Sequence, residues 1–244
     1  MREYVSWRVH QFLDQIQSDL QIKRRYERIF WKTLFQKKAN GEDYGQILTR
    51  TFNLPYHYFI GLKMLDCGSG PFDTLKRFHD AEERWAIDPL ADYYNQLWAK
   101  YGSPDDKTRE TMLVDGRFEA IPFDTGYFDF ISAFNSLDHC EDYHKAICEL
   151  QRVLKPKGYL AIIVEINHEP KVCEPIKIPY EWWHDFETDF EIIISRTYLY
   201  FGGPIYEAIK PNITRIPLYG VTQYKLFSQP LILVALFQKR SDIL

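Results

Sequence analysis

Met64-Leu65-Asp66-Cys67-Gly68-Ser69-Gly70-Pro71-Phe72 is the stretch that decides how this chain is read. A short apolar run passes into a glycine turn. Pro71 suits the first turn of a following helix, where a missing N–H costs nothing. Gly68 and Gly70 give the backbone freedom and carry no side chain that would block a ligand. Twenty residues after Gly68 a second apolar run, Arg84-Trp85-Ala86-Ile87, ends in Asp88. Strand, glycine turn, helix and distal acid together form a nucleoside-binding pattern: backbone approaches the ligand at the turn, and the acid takes ribose hydroxyls. A dinucleotide fingerprint would place a third small residue where Asp73 stands. A carboxylate in the first helical turn repels a pyrophosphate drawn to the positive helix end. The turn therefore favours a cationic nucleoside over a nicotinamide dinucleotide.

Outward from this turn, the pattern predicts strands near 62–66, 84–87, 111–114, 128–134 and 158–166, with helices near 72–80, 90–101 and 142–154. Such alternation implies a parallel sheet. Phe190 to Tyr200 and Pro230 to Gln238 read as two more strands, joined without a helical stripe and therefore expected to pair antiparallel. Residues 2–38 read as helix. Val5, Val9, Phe12, Leu13, Ile16 and Leu20 set one register; Ile22, Tyr26, Ile29, Phe30 and Leu34 set a shifted one, with a break near 19–21. Asn40-Gly41 stops the run, and a short connector holding Gly45 and Pro55 leads to the first strand. The N-terminal part is expected to lie as a cap over the cofactor cleft.

With 244 residues and 45% hydrophobic content, the chain can bury one large domain with an appendage. A net charge of −4 gives no global attraction to nucleic acid, so a DNA partner is not expected. No secretory leader is apparent, and the apolar run Leu231 to Phe237 is too short to span a bilayer, so the cytoplasm is the expected compartment. The four cysteines (Cys67, Cys140, Cys148, Cys173) form no C-x-x-C pair and read as thiols. Cys140, His144 and Cys148 share i, i+4, i+8 spacing, but side chains eight residues apart stand about 12 Å apart along a helix, so no metal site is expected from them.

These segments together resemble the class I S-adenosylmethionine-dependent methyltransferases, from about Gly61 to Ile166 with an extension toward the C-terminus. The family's acidic-x-Gly-x-Gly-x-Gly motif is met by Asp66, Gly68 and Gly70, while Phe72 replaces the third glycine. Glu149-Leu150-Gln151-Arg152-Val153-Leu154-Lys155-Pro156-Lys157-Gly158 matches the family's helix end and turn before the fifth strand. The resemblance implies a Rossmann-like α/β fold with a seven-stranded, mostly parallel sheet, a reversed last strand and helices on both faces. It divides the chain into a cap, 1–58, and a cofactor-binding domain, 59–244, with substrate-side insertions near 167–188 and 201–224. It also implies S-adenosylmethionine as cofactor. Asp66 would sit near the methionine ammonium and Asp88, with Pro89, at the ribose. Asp115 would face the adenine amino group, with Gly116, Arg117 and Phe118 flanking the ring. Gly68, Ser69, Gly70 and Asn135 would complete the site.

The implied reaction is methyl transfer to a small-molecule or sugar-type acceptor, at oxygen. Candidate proton acceptors follow the fourth and fifth strands: His168 with Glu165 is the first choice and His139 the second. Lys23, Arg24, Arg25, Arg28, Lys32, Lys37 and Lys38 face a single acid, Glu27, and read as a solvated face or as a patch that steers a phosphate-bearing acceptor. Tyr180, Trp182, Trp183 and Phe186, like Tyr198, Tyr200 and Phe201, suit either an acceptor wall or core packing. Two other readings stay open. One is a noncatalytic relative that binds cofactor or a partner, suggested by Phe72; the other is an RNA methyltransferase using residues 21–40. The sequence sets no oligomeric state.

Overall fold

A computed structural model describes residues 19–36, 44–102, 110–200, 202–203, 205–209, 215–216 and 230–241. In chain order the elements are α1 (Asp19–Gln36), α2 (Tyr44–Thr51), β1 (Lys63–Cys67), β2 (Glu83–Asp88), α3 (Ala91–Tyr101) and β3 (Met112–Asp115). There follow β4 (Phe128–Phe134), α4 (Tyr143–Val153), β5 (Leu154–Ile166), β6 (Phe190–Leu199), α5 (Ile205–Ala208), β7 (Arg215–Ile216) and β8 (Leu231–Lys239). The first half of the predicted N-terminal helix, and the Asn40-Gly41 stop, lie outside the described residues.

The strands form one sheet in the order β3-β2-β1-β4-β5-β8-β6-β7. The first five are mutually parallel, and β8 runs antiparallel between β5 and β6. This is the expected seven-stranded sheet with its last long strand reversed; the two-residue β7 adds an eighth member at the β6 edge. Strand order reverses between β1 and β4, and the crevice beyond the carboxyl ends of strands at such a point is where ligands bind.

Period-2 alternation sorts the strand side chains onto two cores. Leu65, Ile131, Leu160, Ile162, Leu233 and Phe237 pack on α4 through Ala146, Leu150 and Val153. Met64, Phe130, Phe134, Ile163, Ile232 and Val234 pack on the other face, against Tyr44, Leu48 and Phe52. The connector holding Gly45 is therefore partly helix: α2 lies on the sheet. Trp182 and Phe186 belong to the first core, with the Phe186 ring stacked on Phe237 at 4.4 Å between centroids. Tyr198 is buried in the second core. These rings pack the fold. The Trp183 side chain and Phe201 lie outside the described residues. No described helix is long and apolar enough to cross a membrane.

The predicted helix over 72–80 does not form; the segment is a run of turns. Its side chains take other partners. Asp73 Oδ2 accepts from the Glu110 N–H (2.9 Å), and Thr74 donates to Asp66 Oδ2 (2.5 Å). Short polar side chains that bond away from their own helix compete with it, and here they win over the Pro71 start signal. Phe72, at the third glycine position, lies between Phe35 (stacked, 5.9 Å) and Trp31 (edge-on, 5.9 Å) of α1. The residue that departs from the family motif is the seat of the N-terminal helix.

Candidate cofactor and acceptor site

Beyond the carboxyl ends of β1, β2, β3 and β4 lies a cleft of about 460 Å³. Its floor is Gly68 and Gly70 after β1, with Asp88 at the end of β2 and Pro89 after it. Gly116, Arg117 and Phe118 after β3 form one side, with Asn135 and Ser136 after β4 beside them. Gly68 has φ +72°, and a Cβ there would come within 2.4 Å of Ser136 Cβ. Strain and overlap act together, so Gly68→Ala is expected to cost at least about 2 kcal/mol. That should lower the melting temperature by roughly 4–8 °C for a chain of this size, as calorimetry would read. An unchanged melting temperature would show that the turn has room to relax.

Asp88 is buried, and its two oxygens accept from the N–H groups of Gly70 (3.1 Å) and Leu90 (2.9 Å). Burial pushes its carboxyl up to about 7, against those two backbone bonds. Ribose hydroxyls donate to the ionised form, so ligand binding should release a proton below pH 7. Affinity should then fall by up to tenfold per pH unit as pH drops below about 7, and level off above it. Calorimetric titrations in buffers of different ionisation enthalpy would show this; proton uptake on binding would reverse the assignment. The same carboxyl binds its proton more tightly in the folded chain than in the unfolded one. Its contribution to stability without ligand therefore declines as pH rises from about 4 to 7.

The loop after β3 is pinned from below. Arg152 of α4 donates to the Phe123 carbonyl (2.7 Å), the Ile121 carbonyl (2.9 Å) and Glu149 Oε1 (2.6 Å), while Glu149 Oε2 accepts from the Ile121 N–H (2.9 Å). The Glu149-to-Gly158 segment thus fixes the wall beside Phe118 without touching the cleft.

The cleft is roofed by α1, which contributes Lys23, Arg24, Tyr26, Glu27, Phe30 and Trp31. The Trp31 ring covers Gly70, where a Cβ would lie 3.1 Å from Trp31 Cζ2. Lys23 donates to the His139 carbonyl, and Glu27 Oε1 lies 3.4 Å from His139 Nδ1. Burial opposes a charge on His139, but Glu27 and Asp138 outweigh it and hold its pKa above the usual value. Nδ1 faces a carboxylate, whereas Nε2 is buried and has no hydrogen-bond partner among the described residues.

Of the cofactor residues expected from sequence, Gly68, Gly70, Asp88, Pro89, Gly116, Arg117, Phe118 and Asn135 line the cleft. Asp66 is fully buried beneath the turn, its oxygens taken by Ser132 (2.8 Å) and Thr74 (2.5 Å), so it shapes the turn instead of reaching a ligand. Ser69 is buried with its hydroxyl on the Gly70 carbonyl (3.1 Å), and Asp115 is exposed one residue before the lining begins.

Of the expected proton acceptors, His139 lines the cleft and His168 and Glu165 do not. His168 is buried behind Asp138, with Nε2 3.5 Å from Asp138 Oδ2 and Nδ1 2.9 Å from the Glu169 carbonyl. Asp138 is the main cause of its raised pKa. Burial raises Glu165, with the Lys171 ammonium 3.8 Å away. Cys140 is buried ahead of α4, while His144 and Cys148 are exposed; the three do not converge.

Sequence reasoning missed Glu119, Glu141, Cys173 and Glu174 in the lining, and it placed Glu27 in a surface patch. The five lining carboxylates (Glu27, Asp88, Glu119, Glu141, Glu174) outnumber Lys23, Arg24 and Arg117. That excess suits a ligand carrying positive charge. The cleft volume suits one small ligand, and the side-chain-free turn suits a nucleoside.

A family model described as "Methyltransferase domain" matches residues 65–162, from β1 into β5. The ubiquinone/menaquinone biosynthesis C-methyltransferase UbiE of Paraburkholderia phytofirmans is 32% identical over 186 residues, 68% of this chain and 71% of its own. The chain belongs to the class I S-adenosylmethionine-dependent methyltransferase family, whose cofactor the residues of this cleft fit. Other relatives are matched over less of their length. The chain spans just under half of an uncharacterized protein of Methanocaldococcus jannaschii (43%) and of the Bordetella parapertussis UbiE (46%). Among solved structures, the 4+2 cyclase SpnF is similar with a TM-score of 0.62 at 14% identity, covering 92% of this chain and 97% of that one. A SAM-dependent methyltransferase from Aquifex aeolicus gives 0.50 at 17%, covering 84% and 97%. At such identities these two speak for the fold alone.

Proposed function

We propose that this protein transfers a methyl group from S-adenosylmethionine to a small, flat, oxygen-bearing acceptor held under α1. The observation that carries the reading is the chemistry of the cleft lining. Glycine turn, Asp88 and Gly116-Arg117-Phe118, covered by Trp31, suit a nucleoside; His139, Glu27 and Glu174, with the rings of Tyr26 and Phe30, suit an acceptor. The cofactor supplies an activated methyl group, so the protein's task is alignment, exclusion of water and handling of one acceptor proton. Trp31, over Gly70, and Phe118 keep water from the centre. His139 presents an unpartnered nitrogen where a ring hydroxyl would lie.

The names of the UbiE relatives favour a quinone-type ring and a carbon as the methylated atom, over the sugar-type acceptor and O-methylation expected from sequence. Removing a proton from a ring hydroxyl activates both that oxygen and the carbon beside it, so one site geometry serves either outcome. The Asp19–Gln36 helix is the acceptor-side cover in this reading, and its basic residues Lys23 and Arg24 turn toward the ligand. The test is label transfer from methyl-labelled S-adenosylmethionine to a panel of hydroxylated aromatic rings, hydroquinones and sugars. Labelled aromatic product is expected. Turnover on sugars alone would overturn the acceptor class, and cofactor binding with no transfer to any acceptor would favour a noncatalytic relative.

A further inference from the structure

The acceptor end of the cleft contains a convergence that the reaction alone does not require. Ligand atoms from Asp138 and His139, in the turn after β4, and from Glu174, in the loop after β5, all lie within 4.8 Å of one another. Asp138 is 1% exposed, and its Oδ1 has no hydrogen-bond partner among the described residues; nor has His139 Nε2. Buried polar atoms are costly to leave unpaired, and these belong to residues that offer ligands to one point.

We propose that Asp138, His139 and Glu174 bind a divalent transition-metal cation of the manganese, iron(II) or zinc class. The surroundings of each residue are those of a metal ligand. His139 Nδ1 faces Glu27 Oε1 at 3.4 Å; a proton held there leaves the Nε2 lone pair free, the arrangement that orients metal-bound imidazoles. His168 Nε2, 3.5 Å from Asp138 Oδ2, steadies that oxygen and leaves Oδ1 free. Lys171 holds Glu174 Oε2 at 2.7 Å and so fixes the third carboxylate at the cleft edge.

One nitrogen and carboxylate oxygens form a mixed donor set. Such a set suits manganese, iron or zinc better than magnesium or calcium, which favour all-oxygen shells. Three protein ligands leave coordination positions open, and His139 and Glu174 both line the cleft. An acceptor oxygen would enter there, and a hydroxyl bound to the cation would ionise more readily. That consequence rests on the methyl-transfer reading; metal binding itself does not. Sequence reasoning weighed only Cys140, His144 and Cys148 as ligands; Asp138, His139 and Glu174 come from two loops that only the folded chain brings together.

The test is calorimetry of the full chain, stripped by chelator, with manganese chloride and separately with zinc chloride, in the absence of cofactor and acceptor. One equivalent should bind. Affinity should fall at least tenfold in Glu174→Gln, a change at the partly exposed cleft edge that leaves the core intact, and at least a hundredfold in His139→Ala. His79→Gln, at the exposed pair with Glu110, should leave binding unchanged. Absence of binding by the wild type with both metals, or binding that either site variant leaves unchanged, would show that the three residues form a metal-free charge network. Cofactor binding measured on the same samples stands or falls separately.

Discussion

His139→Ala should lower kcat by at least a hundredfold while changing S-adenosylmethionine affinity less than about threefold. A positioned group that handles a proton in the transition state contributes 10²- to 10⁴-fold, whether it takes the proton itself or holds the group that does. The split between kcat and affinity is the informative readout. In this reading His139 serves the acceptor and Asp88 the cofactor, and the His139 main-chain carbonyl, which Lys23 holds, survives the substitution. Glu27→Gln should act in the same direction with a smaller effect, because it removes the charge that orients Nδ1. Steady-state kinetics with parallel calorimetry would check both. An unchanged kcat in His139→Ala would remove this end of the cleft from the chemistry.

Asp88→Ala should weaken cofactor affinity by about a hundredfold, or about 3 kcal/mol, the worth of one strong or two modest hydrogen bonds to a carboxylate. The alanine also leaves the Gly70 and Leu90 N–H groups without their acceptor, so some of that loss reflects the turn. Asp88→Asn separates the two effects. It keeps the shape and one acceptor oxygen while removing the titration. Its affinity should fall less, and the decline in binding below pH 7 should vanish. An Asp88→Asn variant with the wild-type pH profile would assign that profile to another group.

The cofactor end of this site was legible in the sequence and the acceptor end was not, for physical reasons. Gly68 and Gly116 directly follow strands, Asp88 ends one and Gly70 lies in the turn after β1, so the strand pattern places them at one sheet edge. His168 also follows a strand, yet points away from the cleft. Asn167 adopts φ +59° and its N–H donates to the Ile178 carbonyl at 2.8 Å, so the chain turns inward and carries His168 beneath Asp138. Period-2 reasoning has no means of seeing a left-handed turn. The same is true of 72–80, where a start signal at Pro71 loses to side-chain bonds made by Asp73 and Thr74. The roof was half legible. Helical spacing gave α1 an aromatic face, but Phe72, a large ring where a glycine was expected, suggested a noncatalytic relative, whereas in the fold it is the surface on which Trp31 and Phe35 pack. Glu174 carried no signal, since it reaches the cleft through a loop whose path only the folded chain defines.

The most direct measurement is a crystal structure of the protein with S-adenosylhomocysteine. Ribose hydroxyls are expected on Asp88, adenine between Pro89 and Phe118, and the sulfur pointing toward His139 beneath α1. Product bound elsewhere, or bound in the cleft with Asp88 still engaged only by the Gly70 and Leu90 N–H groups, would contradict it.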